Sequence, residues 1–155
     1  MTQTESRSPR LSPEAGRSPE ALAGVQQILG SIYASGVPRS TLELVHMRAS
    51  QINGCSPCID HAARSAEADE LRRFAELPAF RESLRFDDAE RAAVELTEAI
   101  TRLADHPDVV SDEMWARAAE RYDEAALAAI VTMAALTNFF NRVNTTLRVQ
   151  PDSWE

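Results

Sequence analysis

The chain has 155 residues, 44% hydrophobic and 26% charged, with a formal net charge of -8. That is the size and balance of one globular domain, and its acidity argues against a partner built on phosphate backbones. No apolar run reaches the roughly 18 residues of a membrane span, and the Ser/Pro/Arg-rich N-terminus has no apolar stretch of the kind a secretory signal needs.

In chain order, residues 1–17 read as a flexible N-terminal tail and 18–150 as a single domain. From Pro19, the residues Leu22, Val25, Ile28, Leu29 and Ile32 recur at helical spacing until Gly36-Val37-Pro38 interrupts them. A second helix is expected over about Arg39–Ile52, with Leu42, Val45, Ala49 and Ile52 on one stripe and Asn53-Gly54 as its stop. Pro57 suits the first turn of a third helix reaching about Ala68. Leu71–Leu84 is short and broken by Pro78. Asp87-Asp88-Ala89-Glu90 has the spacing of a capping box and opens a helix to about Leu103, with Ala93, Leu96, Ile100 and Leu103 inward. Ser111-Asp112-Glu113 opens another, carrying Trp115, Ala118 and Tyr122, and the last helix runs from Asp123 to about Leu147. That last helix is apolar on more than one face, which marks a core element or one buried in a subunit contact. No period-two strand or fixed-period repeat occurs. The expected fold is all-α, with about six to seven helices.

The chemistry-bearing feature is Cys55-x-x-Cys58, between a helix stop and a helix start. Unpaired N–H groups at a helix N-terminus favour a thiolate, and three-residue spacing puts both sulfurs within one turn. With no export signal, the expected location is cytoplasmic, a reducing compartment where such a pair is redox-active or metal-binding more often than structural. Two other readings stand beside the redox one. The cysteines could be small buried apolar groups, or zinc ligands with His61 and with His46 or Glu43. His61, three residues after Cys58, lies on the same side of the third helix, and an imidazole is the side chain suited to proton transfer at neutral pH. Ser40-Thr41-Leu42-Glu43 has capping-box spacing, which would turn Glu43 toward the backbone. His46, one turn beyond Glu43, could equally be an ordinary surface residue, and His106 falls in a loop. Asn138, Asn141 and Arg142 are polar positions on the apolar last helix, placed to satisfy buried groups or to face a subunit boundary. All sixteen basic residues are Arg, which removes lysine chemistry. The absence of a Gly-rich phosphate loop gives no sign of an organic cofactor.

Residues 42–67, LELVHMRASQINGCSPCIDHAARSAE, resemble the core of the AhpD-like alkylhydroperoxidase branch of the carboxymuconolactone decarboxylase family. FDDAERAAVELTEAIT (86–101) and ALTNFFNRVNTTLR (135–148) are similar to the later helices of its short members, so the likeness runs from about residue 20 to 150. The resemblance implies an all-helical fold assembling into trimers or hexamers. It also implies a peroxidase-type reaction, R-OOH to R-OH, driven by a thiol donor protein. By motif position, Cys58 would be the peroxidatic cysteine, Cys55 the resolving one and Glu43 the relay carboxylate. The chain departs from the family at two positions. The family His usually stands four residues after the second Cys, where this chain has Ala62, and some members carry a His where Pro57 stands here. His61 is thus turned by about 100° around the helix from the usual place. The decarboxylase branch lacks the Cys pair, so lactone chemistry is not expected.

The reading is a thiol-dependent peroxidase acting through Cys58, Cys55, Glu43 and His61. Its expected partners are a hydroperoxide, a thiol reductant protein and further copies of itself, with no metal or organic cofactor, nucleic acid or membrane. The alternatives are a non-catalytic zinc-binding helical module, a family member with weak disulfide-reductase activity only, and an interaction or stress-associated protein with little turnover.

Overall fold

A computed structural model of the chain describes residues 8–12, 18–105 and 108–151. Seven α-helices and no strand occur among these residues: α1 Pro19–Tyr33, α2 Arg39–Asn53, α3 Ser56–Ser65, α4 Ala68–Glu76, α5 Asp88–Thr101, α6 Asp112–Ala119 and α7 Glu124–Leu147. A 3-10 turn, Leu77–Ala79, follows α4 where Pro78 stands.

Polar side chains set the starts of four of these helices. Ser18, Ser111 and Asp123 accept backbone N–H groups at α1, α6 and α7, and Asp87 and Glu90 form the complete capping box of α5. Gly54 ends α2 in the left-handed region (φ 64°), where an L side chain would be strained. Arg10 ties the upstream chain to the far end of α7, its N–H donating to the Leu147 carbonyl at 2.9 Å and its guanidinium to that of Thr146. Those carbonyls have no partner within the helix. The remainder of the expected tail, residues 1–7 and 13–17, lies outside the described residues.

α2 is the axis of the bundle and is buried on two sides. Leu42 and Val45 join Ile32, Ala93, Leu96, Ile130 and Ala134 in a core shared by α1, α2, α5 and α7. Leu44 and Met47 point the other way, into a second cluster with Phe74, Leu77, Phe80, Phe86 and Val94. A part-buried Arg48–Glu98 ion pair also ties α2 to α5. Among the described residues α7 is the helix with the length and hydropathy of a membrane span. Here it is a core helix, burying Leu127, Ile130, Met133 and Ala134.

Four expectations need correction. α5 stops at Thr101 rather than Leu103, so Leu103 leaves the helical stripe and is 63% exposed instead of inward. α3 ends at Ser65, three residues short of Ala68. α6 ends at Ala119, so Tyr122 lies beyond the helix expected to carry it. On α1, Ile32 is buried and Leu29 packs against the core, while Leu22 and Ile28 remain exposed.

Leu96 is fully buried and Leu84 fully on the surface. Urea unfolding of Leu96→Ala should show a loss of about 2–5 kcal/mol, and Leu84→Ala a change within about 0.5 kcal/mol.

Candidate active site

The turn at Gly54 delivers the cysteines. The Gly54 N–H donates to Gln51 and the Cys55 N–H to Ser50 at 3.0 Å, closing α2 and leaving Cys55 as the N-cap of α3. Pro57 occupies the first turn, where its missing N–H costs nothing, and Cys58 follows one residue later. A disulfide joins Cys55 and Cys58, their Cα atoms 5.4 Å apart.

Both sulfurs are covered by α7. Asn141 Nδ2 donates to Cys58 Sγ at 3.2 Å and to Ser50 Oγ at 3.2 Å. Asn144 Nδ2 donates to Cys58 Sγ at 3.3 Å and lies 3.9 Å from Cys55 Sγ. Asn53 at the end of α2 donates to the Oδ1 atoms of Asn141 (2.8 Å) and Asn138 (3.0 Å). Asn138 in turn donates to Thr101 and accepts from Arg142. Of the polar positions expected on the last helix, Asn138 and Asn141 therefore satisfy buried groups rather than face a boundary. Asn144, which the sequence did not single out, completes the set.

A cleft of about 290 Å³ opens beside the pair, between α1, α2, α3 and α7. Cys58 lines it together with Glu43, His46 and His61, and Leu29, Met133, Leu136 and Phe140 give it an apolar wall. Cys55 is buried behind, 1% exposed. Glu43 Oε1 accepts from the Tyr33 hydroxyl at 3.1 Å and lies 3.5 Å from Arg39 Nε. Desolvation of its phenol and the facing Glu43 charge push Tyr33 up to about 12. The capping-box reading of Glu43 does not hold: α2 begins at Arg39 behind Pro38, so Ser40 is already inside the helix and Glu43 faces the cleft.

His46 is a surface residue neither by position nor by contact. Its Nδ1 lies 3.2 Å from Thr137 Oγ1, whose hydroxyl donates to the Met133 carbonyl. Burial pushes its pKa below the usual 6.5, against the raising effects of Glu43 and of a hydrogen bond to the Cys58 backbone, while the nearby His61 adds to the lowering. His61 itself stands exposed on the cleft rim. His106 lies outside the described residues. Among the described residues, no group of three or more His, Cys, Asp or Glu is arranged to hold a metal ion.

Fold and site together define an all-helical protein carrying a CxxC disulfide in the wall of its cleft. The pattern of the carboxymuconolactone decarboxylase family matches residues 19–99, and the chain belongs to that family. It is 33% identical over 129 residues to the uncharacterized protein YdfG of Bacillus subtilis, covering 82% of this chain and 86% of YdfG. A crystal structure of an Agrobacterium tumefaciens protein of unknown function, named for AhpD-type antioxidant defence, superposes with a TM-score of 0.78 at 23% identity. That match covers 93% of this chain and 98% of the other. The debrominase Bmp8, as a cysteine-to-alanine variant in complex with 2,3,4-tribromopyrrole, gives 0.74 at 23% identity, over 90% of this chain and 74% of the other. These structural likenesses establish an AhpD-like fold.

Because His46 is held neutral, its contribution to stability is complete above its unfolded pKa of 6.5 and is lost as pH falls through the depressed folded value. The urea midpoint should therefore drop between about pH 7.5 and about pH 5.5, and His46→Gln should shrink that drop.

Proposed function

We propose that this protein is a thiol-dependent peroxidase that reduces organic hydroperoxides through the Cys55–Cys58 pair. The observation that carries the reading is the division of the disulfide between cleft and core: Cys58 lines the cleft beside ionisable side chains, and Cys55 sits behind it. The Cys58 thiolate attacks the outer oxygen of R-OOH, forming a sulfenic acid and, with one proton taken up, releasing R-OH. The Cys55 thiol attacks that sulfur, water leaves, and the disulfide closes. A dithiol donor protein then exchanges with the disulfide and leaves oxidised, returning both cysteines to the reduced state.

Glu43 and His61 are the proposed proton carriers, and His46, which lines the same cleft, is proposed beside them. Tyr33 and Arg39 fix the Glu43 carboxylate at the cleft wall. The apolar wall suits a substrate with a hydrocarbon body. The proposed setting is the cytoplasm, where a thiol donor is available.

Cys58→Ser should abolish hydroperoxide consumption, while Cys55→Ser should leave Cys58 able to form a sulfenic acid that a dimedone-type probe traps. Trapping on Cys55 in the Cys58→Ser protein at an equal rate would reverse the assignment.

We further propose a homo-oligomer, a trimer or hexamer. Leu22 and Ile28 on α1 and Phe139 on α7 leave large apolar side chains in solvent, on two helices that pack together. Light scattering at micromolar concentration should give a multiple of the 17.1 kDa chain mass. A monomer mass throughout would refute it.

A further inference from the structure

We propose that Asn141 and Asn144 form a two-donor amide cradle that holds reduced Cys58 as its thiolate and makes it the anionic member of the pair. The proposal rests on Cys58 being the working sulfur, as argued above, and adds the groups that tune it.

A disulfide sulfur is a weak acceptor, yet two amide N–H groups point at this one from 3.2 and 3.3 Å. Both side chains are buried, Asn141 1% and Asn144 3% exposed. Buried donors facing a weak acceptor recover little of their desolvation. The same donors facing a thiolate make charge-assisted hydrogen bonds, roughly twice as strong as neutral ones. The arrangement therefore matches the reduced site better than the oxidised one.

The direction of the Asn141 amide is fixed by its neighbours. Asn53 donates to its Oδ1, so that oxygen is turned toward α2 and Nδ2 toward the sulfur. Asn53 is itself shared with Asn138, which Thr101 and Arg142 hold in turn. Asn144 favours one sulfur over the other, at 3.3 Å from Cys58 and 3.9 Å from Cys55. The ionisable groups around the cleft come from the other helices: Tyr33 from α1, Arg39, Glu43 and His46 from α2, and His61 from α3, with Cys55 as the N-cap of α3. α7 lines the cleft with uncharged residues only, so its share in stabilising the anion is made by amide dipoles. The first turn of α3 adds its own backbone dipoles to the same sulfur.

The consequence is a directed reduction. A donor dithiol attacks Cys58, the more accessible sulfur, and Cys55 leaves. The donor's second thiol then attacks the mixed disulfide, forming the donor's disulfide and expelling Cys58 as thiolate. A lower leaving-group pKa speeds that last step. In total, one dithiol and one protein disulfide give one donor disulfide, one Cys55 thiol, one Cys58 thiolate and one proton.

The test is the thiolate absorbance at 240 nm against pH in a Cys55→Ser background, where Cys58 is the single thiol of a chain with two cysteines. The Cys58 pKa is expected below the ordinary value of about 8.5. Asn144→Leu should raise it by about one to two units, and the isosteric Asn144→Asp, which replaces a donor with an anion, by at least as much. In the two-cysteine protein, Asn144→Leu should make the disulfide harder to reduce against a dithiol buffer, by up to about tenfold per unit of pKa. Asn141→Leu should act in the same direction, but it also strips Asn53 and Ser50 of a partner. Asn144, whose amide donates to the sulfurs, is therefore the decisive position. A Cys58 pKa unmoved by either Asn144 variant, with helicity and oligomer mass unchanged, would overturn the cradle while leaving the peroxidase reading in place. A pKa that moves as expected in a protein that consumes no hydroperoxide would sustain the cradle and remove the peroxidase.

Discussion

The contact between α2 and α7 is held in register by a polar bridge: the Asn53 amide spans Asn138 and Asn141, Asn141 also donates to Ser50, and His46 lies against Thr137. The rest of the site hangs from that bridge. A slide of α7 by one turn would part these asparagines from their partners, at about 1–3 kcal/mol for each unsatisfied group. Polar pairing therefore fixes which α7 residues meet the Cys55–Cys58 turn. Gly54 does the corresponding work on the other side, ending α2 so abruptly that Cys55 already caps α3. Cys58 is thus fixed from two directions, by a backbone turn and by a polar seam.

The helices were legible because their starts are written in local chemistry. Asp87 and Glu90, Ser111 and Asp123 each mark a helix start through a side chain acting within four residues. Local rules also misled where a second local rule outranked them. Ser40 and Glu43 have capping-box spacing, but Pro38 with its fixed φ starts the helix earlier and leaves the box inside it. Leu103 fits the inward stripe of α5 only while the helix lasts, and it ends at Thr101.

The site was legible in part for a related reason. The Cys pair announces itself through spacing and flanking residues. His46 and Asn144 carry no such signal: their meaning depends on α1, α2 and α7 meeting around one cleft, a contact between segments far apart in the chain. A His on an amphipathic helix and an Asn near a helix end are each ordinary by themselves. The family likeness identified the fold and the Cys turn, and function on such a fold is set by the groups around that turn. Among the described residues, α2 supplies a buried imidazole, His46, whereas the one nearest in sequence to the cysteines, His61, stands at the rim.

The lysine-free composition has a consequence for how the fold meets extremes of pH. The ion pairs that tie its helices together, such as Arg48–Glu98 between α2 and α5 and Arg73–Glu90 between α4 and α5, have a guanidinium as their cation. A guanidinium keeps its charge at any pH a protein survives, so alkali has no lysine ammonium to neutralise. Tyr33 and Tyr122, the two tyrosines, are both pushed up to about 12, chiefly by burial. Acid finds the opposite situation, since each of those pairs contains a carboxylate that can take up a proton. The electrostatic framework of this bundle is therefore lopsided, yielding to protons long before it yields to hydroxide.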